Sequence, residues 1–517
     1  MAYPSKLLLD KLQAMLGPKG FTRDPEAMAP WLSDWRGRYH GAAAALLSPA
    51  TTAEVAQIVR SCAEQDVPIV PQGGNTSMVG GATPDATGQA LILSLRRMNR
   101  IRRLDPEANL VVCEAGLILS DLHEAALAEG RRFPLSLGAK GSATIGGLIS
   151  TNAGGTQVLR FGTMRRLVLG LEAVLPDGSV IDGLAALKKD NRGYDLTQLL
   201  VGAEGTLGVV TAATLRLVPA IGTRAVAWAG VASPQDAMAL LRMTEPAMGD
   251  AVESFELVPR ASLDLVLEHI PGTRAPLADA HPWNVLIEAV APEGAPPPQE
   301  ALEQTLALAL ESGLVRDATI AANETQADQF WRLRDAIAEA EKKDGPAAKH
   351  DISVAVGDMP RFLVEAAADV ERTFPGTRVN AFGHLGDGNI HFNVRAPEGE
   401  DESWLKRVGG AVSGHVHDLV TGAGGSISAE HGIGQMKIGE LARLGGGARL
   451  GALAAIKRAL DPRLIMNPAS SLPHSTRLRT GPPTRLRTDL RKSRNDHRRL
   501  REIPHLVCGD DSTGWRE

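Results

Sequence analysis

Three glycine-rich, charge-poor stretches lie within residues 71–211, and they restrict what this chain can fold into more than any other feature. The first, PQGGNTSMVGGATP over 71–84, brings Gly73 and Gly74 next to Asn75, Thr76 and Ser77. The second covers 134–166 and holds Gly138, Gly146, Gly147, Gly154 and Gly155, and the third is LLVGAEGTLGVVT over 199–211. Glycine lets backbone N–H groups converge and lets a diphosphate approach closely, while small hydroxyls add donors. One such stretch is an ordinary loop, but three in one region share a cause, and a large flat cofactor lying against bare backbone supplies it. The pattern is not GxGxxG, so it gives no support to a nicotinamide site.

Around these stretches the period of apolar residues predicts a helix from Thr51, with Val55, Ile58, Val59 and Cys62 on one face. Strands follow at 67–70, 90–95 and 110–114, then a helix over 119–128 and a hairpin at Pro176-Asp177-Gly178. An N-terminal segment, 1–40, opens with an amphipathic helix whose apolar face is read as Leu7, Leu8, Leu12 and Met15, packed on the first domain. That domain is expected over 41–220 and a second over 225–468, with a Pro-rich break before a helix starting near Glu300. The tail, 471–517, repeats TRLRT, has no apolar period to bury and is expected to be disordered and dispensable.

Charge and cysteine content narrow the partners. The tail holds eleven Lys/Arg against six Asp/Glu, so the body is more acidic than the overall −5, which excludes nucleic acid as the natural partner. No apolar run approaches the roughly 18 residues of a membrane span. Cys62, Cys113 and Cys508 are too few and too scattered for a disulfide framework, and a cytoplasmic location is expected. The oligomeric state is left open, with a homodimer as one option.

The sharpest chemical signal is VNAFGHLGDGNIHFNV, 379–394. Gly386-Asp387-Gly388-Asn389 is turn chemistry, and a four-residue loop there sets His384 opposite His391, so both imidazoles leave one face about 5 Å apart. Asn393, two residues on, points the same way. Downstream, GGSISAEHGIGQMK places Glu430 beside His431. Two histidines and one carboxylate form a metal set with open positions that suits Zn²⁺, with Mn²⁺ and Fe²⁺ as alternatives, and the adjacent imidazole is then placed as general base.

The first half resembles the FAD-binding domain of the vanillyl-alcohol oxidase and p-cresol methylhydroxylase (PCMH) superfamily. With the second half included, residues 25–468 resemble its FAD-linked D-2-hydroxyglutarate and D-lactate dehydrogenases. The resemblance implies an α+β chain, in which a two-subdomain FAD-binding domain of PCMH type precedes an α+β C-terminal substrate (cap) domain. It implies that Gly73, Gly74, Asn75, Thr76 and Ser77 hold the pyrophosphate, with Pro134, Gly138, Ser142, Gly146, Asn152, Gly155 and Gly205 along the rest of FAD. The 71–84 loop has no His or Cys, so FAD is expected to be non-covalent. By the same resemblance His384, His391 and Glu430 are metal ligands and His431 is the base. Asn393, Arg334 and Lys349 contact substrate. The hydroxyglutarate branch has a Thr four residues after the Arg, where this chain has Ala338.

The expected reaction is oxidation of a D-2-hydroxy acid, D-2-hydroxyglutarate or D-malate, with electrons passed to electron-transfer flavoprotein or a quinone. The alternatives are a D-lactate or glycolate dehydrogenase and a non-catalytic flavin-binding subunit of a larger complex.

Overall fold

A computed structural model describes residues 2–471, and the tail expectation for 471–517 falls, apart from Ser471, outside the described residues. Four sheets organise the described residues. The first takes Phe21–Thr22 (β1), Ala45–Leu47 (β2), Ile69–Gln72 (β3) and Leu91–Ser94 (β4) in the order β1-β2-β4-β3, with β2, β4 and β3 parallel. The second is antiparallel and runs β5-β6-β10-β8-β9, from Ile101–Asp105 (β5), Leu110–Glu114 (β6), Val168–Val174 (β8), Val180–Gly183 (β9) and Val209–Arg216 (β10). A short pairing of Arg131–Arg132 (β7) with Val218–Pro219 (β11) closes this half.

Local chemistry explains these elements. Thr51 caps the helix Thr52–Glu64 by accepting from Glu54 N, and its buried face is the expected Val55, Ile58, Val59 and Cys62. The helix Leu119–Ala128 and β6 fall where the apolar period puts them. In the hairpin between β8 and β9, Asp177 Oδ1 accepts from Ser179 N at 2.8 Å. The N-terminal helix Lys6–Gly20 buries Leu8, Leu9, Leu12 and Leu16, whereas Leu7 is 78% exposed. The expected face was therefore rotated. The true stripe repeats at i, i+4 and i+8 from Leu8, with Leu9 alongside, and it packs into the same core as Val55 and Ile58.

The third large sheet is antiparallel and has seven strands: Ile221–Val231 (β12), Val252–Pro259 (β13), Trp283–Pro292 (β14), Asp317–Ile320 (β15), Ala347–Ser353 (β16), Arg378–His384 (β17) and Asn389–Arg395 (β18). Their order is β15-β12-β14-β13-β17-β18-β16. Apolar clusters cover both faces, one around Leu240, Leu302, Leu363 and Val416, the other around Leu263, Phe330 and Ile337. Cover on both faces leaves β13 buried at every position and β14 at all but its two ends, with no alternation.

The two halves are joined by buried charge and by a returning segment that bridges to β3. Glu253, at the start of β13, receives Arg132 and Arg160 from the first half at 2.5 and 3.1 Å. At the other end of the chain, Ile69 N donates to Ile465 O and Asn467 N to Ile69 O, both at 2.8 Å. The LDPRLIMNP segment thereby leaves the second half, and Ile465 and Met466 lie in the core of the first.

Candidate functional site

A cavity of about 840 Å³ opens between the halves. Its first wall is made of the glycine-rich stretches: Gly73, Gly74, Asn75, Thr76 and Ser77, then Gly138, Ser142, Gly146 and Gly155, then Gly205. Gly74 shows why this wall is bare. A Cβ there would stand 1.8 Å from Ser142 O, so the first two stretches touch backbone to backbone. Asn75 adopts φ +52, donates from Nδ2 to Pro30 O and Ser33 O, and leaves its buried Oδ1 without a partner among the described residues. A cradle of main chain with an orphaned acceptor fits a dinucleotide better than it fits a packed core. Two expected members stand elsewhere. Pro134 is buried behind the wall, and Asn152 ends the helix Ile145–Thr151 at φ +51 while its Oδ1 accepts from Arg165 N at 2.9 Å.

His384, His391, Glu430, His431, Arg334 and Asp335 of the second half line the same cavity. One ligand atom each from His384, His391 and Glu430 lies within 4.8 Å of the others, and the rings of the two histidines are 5.6 Å apart. The route to this geometry differs from the expected one. His384 pairs with Asn389, not with His391, so the loop is Leu385–Gly388. Leu385 is fully buried, and its N–H goes to Phe255 O on β13, which takes it out of the hairpin ladder. The register moves by two, parity is kept, and the two imidazoles share a face diagonally.

The ligand set has built supports. Glu256 on β13 stands opposite His384 and accepts from its Nδ1 at 2.5 Å, which leaves Nε2 facing Glu430 at 3.8 Å. Arg334 donates from Nε to the other Glu256 oxygen at 2.8 Å. Burial by itself would raise the Glu256 pKa, but Arg334 and His384 overcome it and hold it near about 2. Burial disfavours charge on His384 too, yet Glu256 lifts its pKa to about 9, while burial together with Arg334 and His384 takes His391 down to about 3. Such a carboxylate-imidazole pair fixes the tautomer of a metal-binding histidine.

Asp351 on β16 does the same for the Glu430-His431 turn. Its Oδ2 accepts from Glu430 N at 2.9 Å and His431 N at 3.0 Å and lies 3.3 Å from His431 Nδ1. Burial lowers the His431 pKa, against the pull of Asp351, so the ring is neutral and able to take a proton. Burial pushes Glu430 up to about 7. Lys349 and Asn393 do not line the cavity. Lys349 Nζ reaches Glu341 Oε2 at 3.1 Å, and Asn393 Nδ2 reaches Glu341 Oε1 and Oε2 at 3.0 and 2.8 Å, the fully buried Glu341 absorbing both.

Glu256, Asp351 and Glu341 are the members that motif reading passed over. Each is a buried acid, in VESFELVP, AAKHDIS and IAEAEKK, and a buried charge needs a partner.

Residues 222–470 match the family described as FAD linked oxidases, C-terminal domain, and residues 43–183 match the FAD binding domain family. The chain is 38% identical over 461 residues to the mitochondrial D-2-hydroxyglutarate dehydrogenase of Arabidopsis thaliana, covering 89% of this chain and 80% of that one. This chain belongs to the FAD-linked oxidase family that includes the D-2-hydroxyglutarate dehydrogenases. The Bos taurus member is 39% identical over 451 residues, 87% of this chain and 80% of its own. Among solved structures, p-cresol methylhydroxylase with substrate bound superposes with a TM-score of 0.68 at 15% identity, over 90% of this chain and 96% of that one. The fold is thus the PCMH type, and membership of the family makes the chain an FAD-dependent oxidoreductase. The cytoplasmic expectation is corrected here, because both of these family members are named as mitochondrial proteins. The cysteine content does not distinguish one compartment from another.

Proposed function

We propose that this protein oxidises a D-2-hydroxy acid, D-2-hydroxyglutarate or D-malate, to the 2-oxo acid. The observation that carries the reading is that His384, His391, Glu430 and His431 line the same cavity as the glycine cradle. The relatives named D-2-hydroxyglutarate dehydrogenase support it. A divalent ion held by His384 Nε2, His391 and Glu430, zinc by the chemistry of this donor set, supplies a Lewis acid, and non-covalent FAD supplies the oxidant.

The chain's own groups do the rest. His431, neutral and steadied by Asp351 at Nδ1, takes the hydroxyl proton at Nε2. Arg334 offers the positive charge for a substrate carboxylate while Glu256 keeps its guanidinium in place. Lys349 and Asn393 act at one remove, through Glu341. Electrons leave to a separate acceptor, electron-transfer flavoprotein or a quinone.

Anaerobic mixing of purified, FAD-loaded protein with D-2-hydroxyglutarate, D-malate, D-lactate, glycolate and the L-isomers tests this, with loss of the oxidised flavin absorbance as the signal. Bleaching by a D-dicarboxylate, abolished by a chelator and restored by Zn²⁺ or Mn²⁺, is the expected result. Preference for an L-isomer, or bleaching indifferent to chelation, would overturn it.

A further inference from the structure

The turn that carries Glu430 and His431 belongs by sequence to the second half, yet it is fastened to the cofactor loops of the first. Glu204, in the third glycine-rich stretch, has φ +50, and its carboxylate accepts from Ile433 N at 2.7 Å and from Gly434 N at 2.8 Å. Asp351 accepts from Glu430 N and His431 N on the other side. Two carboxylates, one from each half, therefore hold four main-chain N–H groups of the segment 430–434.

Further ties join the same segment to the 71–84 loop. Gln435 Nε2 donates to Gly80 O and Thr83 O, both at 2.8 Å, and Met436 N donates to Val79 O at 3.1 Å. Gly434 adopts φ +48, and a Cβ there would stand 2.4 Å from Val79 O, so the two segments meet as bare backbone.

We propose that Glu204 is a positioning residue, which sets the distance of the Glu430-His431 turn from the flavin wall. It rests on the reading of that turn as the source of a metal ligand and the base. Glu204 lines the cavity next to Gly205, but both of its oxygens are taken by N–H groups, so it is no candidate base. Its two-oxygen acceptor is what the turn requires. Glutamine keeps the shape but turns an NH₂ towards one of the two N–H groups, and aspartate keeps the charge but is one methylene too short to reach both.

The test compares FAD-loaded wild type with Glu204→Gln and Glu204→Asp, measuring flavin content, thermal midpoint, Mn²⁺ affinity by paramagnetic resonance, and flavin reduction by D-2-hydroxyglutarate. The expected result in both variants is unchanged flavin content and a half-saturating substrate concentration close to wild type. Reduction at saturation and Mn²⁺ affinity each fall by about 10- to 100-fold, the range for losing a partner that orients a ligand. Wild-type reduction and Mn²⁺ affinity in Glu204→Gln would overturn the proposal. So would loss of flavin or of folded protein in both variants, which would make Glu204 a structural residue only. If wild type is not bleached by any hydroxy acid but Mn²⁺ affinity falls in the variants, the proposed function fails and the role of Glu204 stands.

Discussion

Glu256 Oε1 and His384 Nδ1 lie 2.5 Å apart on neighbouring strands, with Arg334 closing on the second carboxylate oxygen. All three are largely buried, so each charge is compensated chiefly by the others. Glu256→Gln takes away the direct ion-pair partner of Arg334 and is expected to cost about 3–5 kcal/mol of stability, read as a fall in thermal midpoint. It also loosens His384, and divalent-ion affinity measured by titration should fall by about 10- to 100-fold.

Gly74→Ala should empty the cofactor site. The added methyl would meet Ser142 O at 1.8 Å, so the 71–84 loop must move away from the second stretch. A lower flavin-to-protein ratio after purification, restored only partly by added FAD, is the expected outcome.

Arg334 and Lys349 should separate cleanly. Arg334→Lys keeps a charge beside Glu256 but loses the planar fork, and the half-saturating concentration of a D-dicarboxylate is expected to rise by about tenfold or more. Lys349→Met removes a partner from the buried Glu341 and should lower stability by about 1–3 kcal/mol while leaving that concentration near wild type. Steady-state kinetics and thermal melts on the two variants check both statements.

Acid should weaken the fold through His350. Burial, with His417 and Lys437 adding to it, takes this imidazole down to about 3, and the neutral ring bonds Phe392 O and Ser413 Oγ at 2.8 and 2.9 Å. A histidine with a depressed folded pKa contributes stability that is present above its unfolded value, near 6.5, and is lost as pH falls towards about 3. The slope from this one group is about 1.4 kcal/mol per pH unit in that window. In His350→Asn the decline of the thermal midpoint between these limits should be shallower than in wild type.

Much of this was legible in the sequence because it rests on local rules. The helices at 52–64 and 119–128, the strand at 110–114 and the turn at Asp177 follow apolar period, capping and turn chemistry. The shared face of His384 and His391 was readable because strand parity acts over a few residues, whereas Glu430 is held beside them by Asp351 on another strand. What escaped depended on distant elements. The hairpin register is set by a hydrogen bond from Leu385 to Phe255 on another strand. Lys349 and Asn393 are claimed by Glu341, which lies on the helix Ile337–Lys343 packed against the sheet. The buried stripe of the N-terminal helix is decided by the surface it meets, and Leu7 and Leu9 are equally apolar.

The diagonal pairing of His384 and His391 also limits how the hairpin can vary in length. With the four-residue loop kept, inserting or deleting one residue within 385–388 would turn one imidazole through the sheet to the Ile390 and Phe392 side or break the ladder, whereas a change of two would restore both to a common face. Natural or engineered versions of this loop that keep the reaction should therefore differ from it by even numbers of residues.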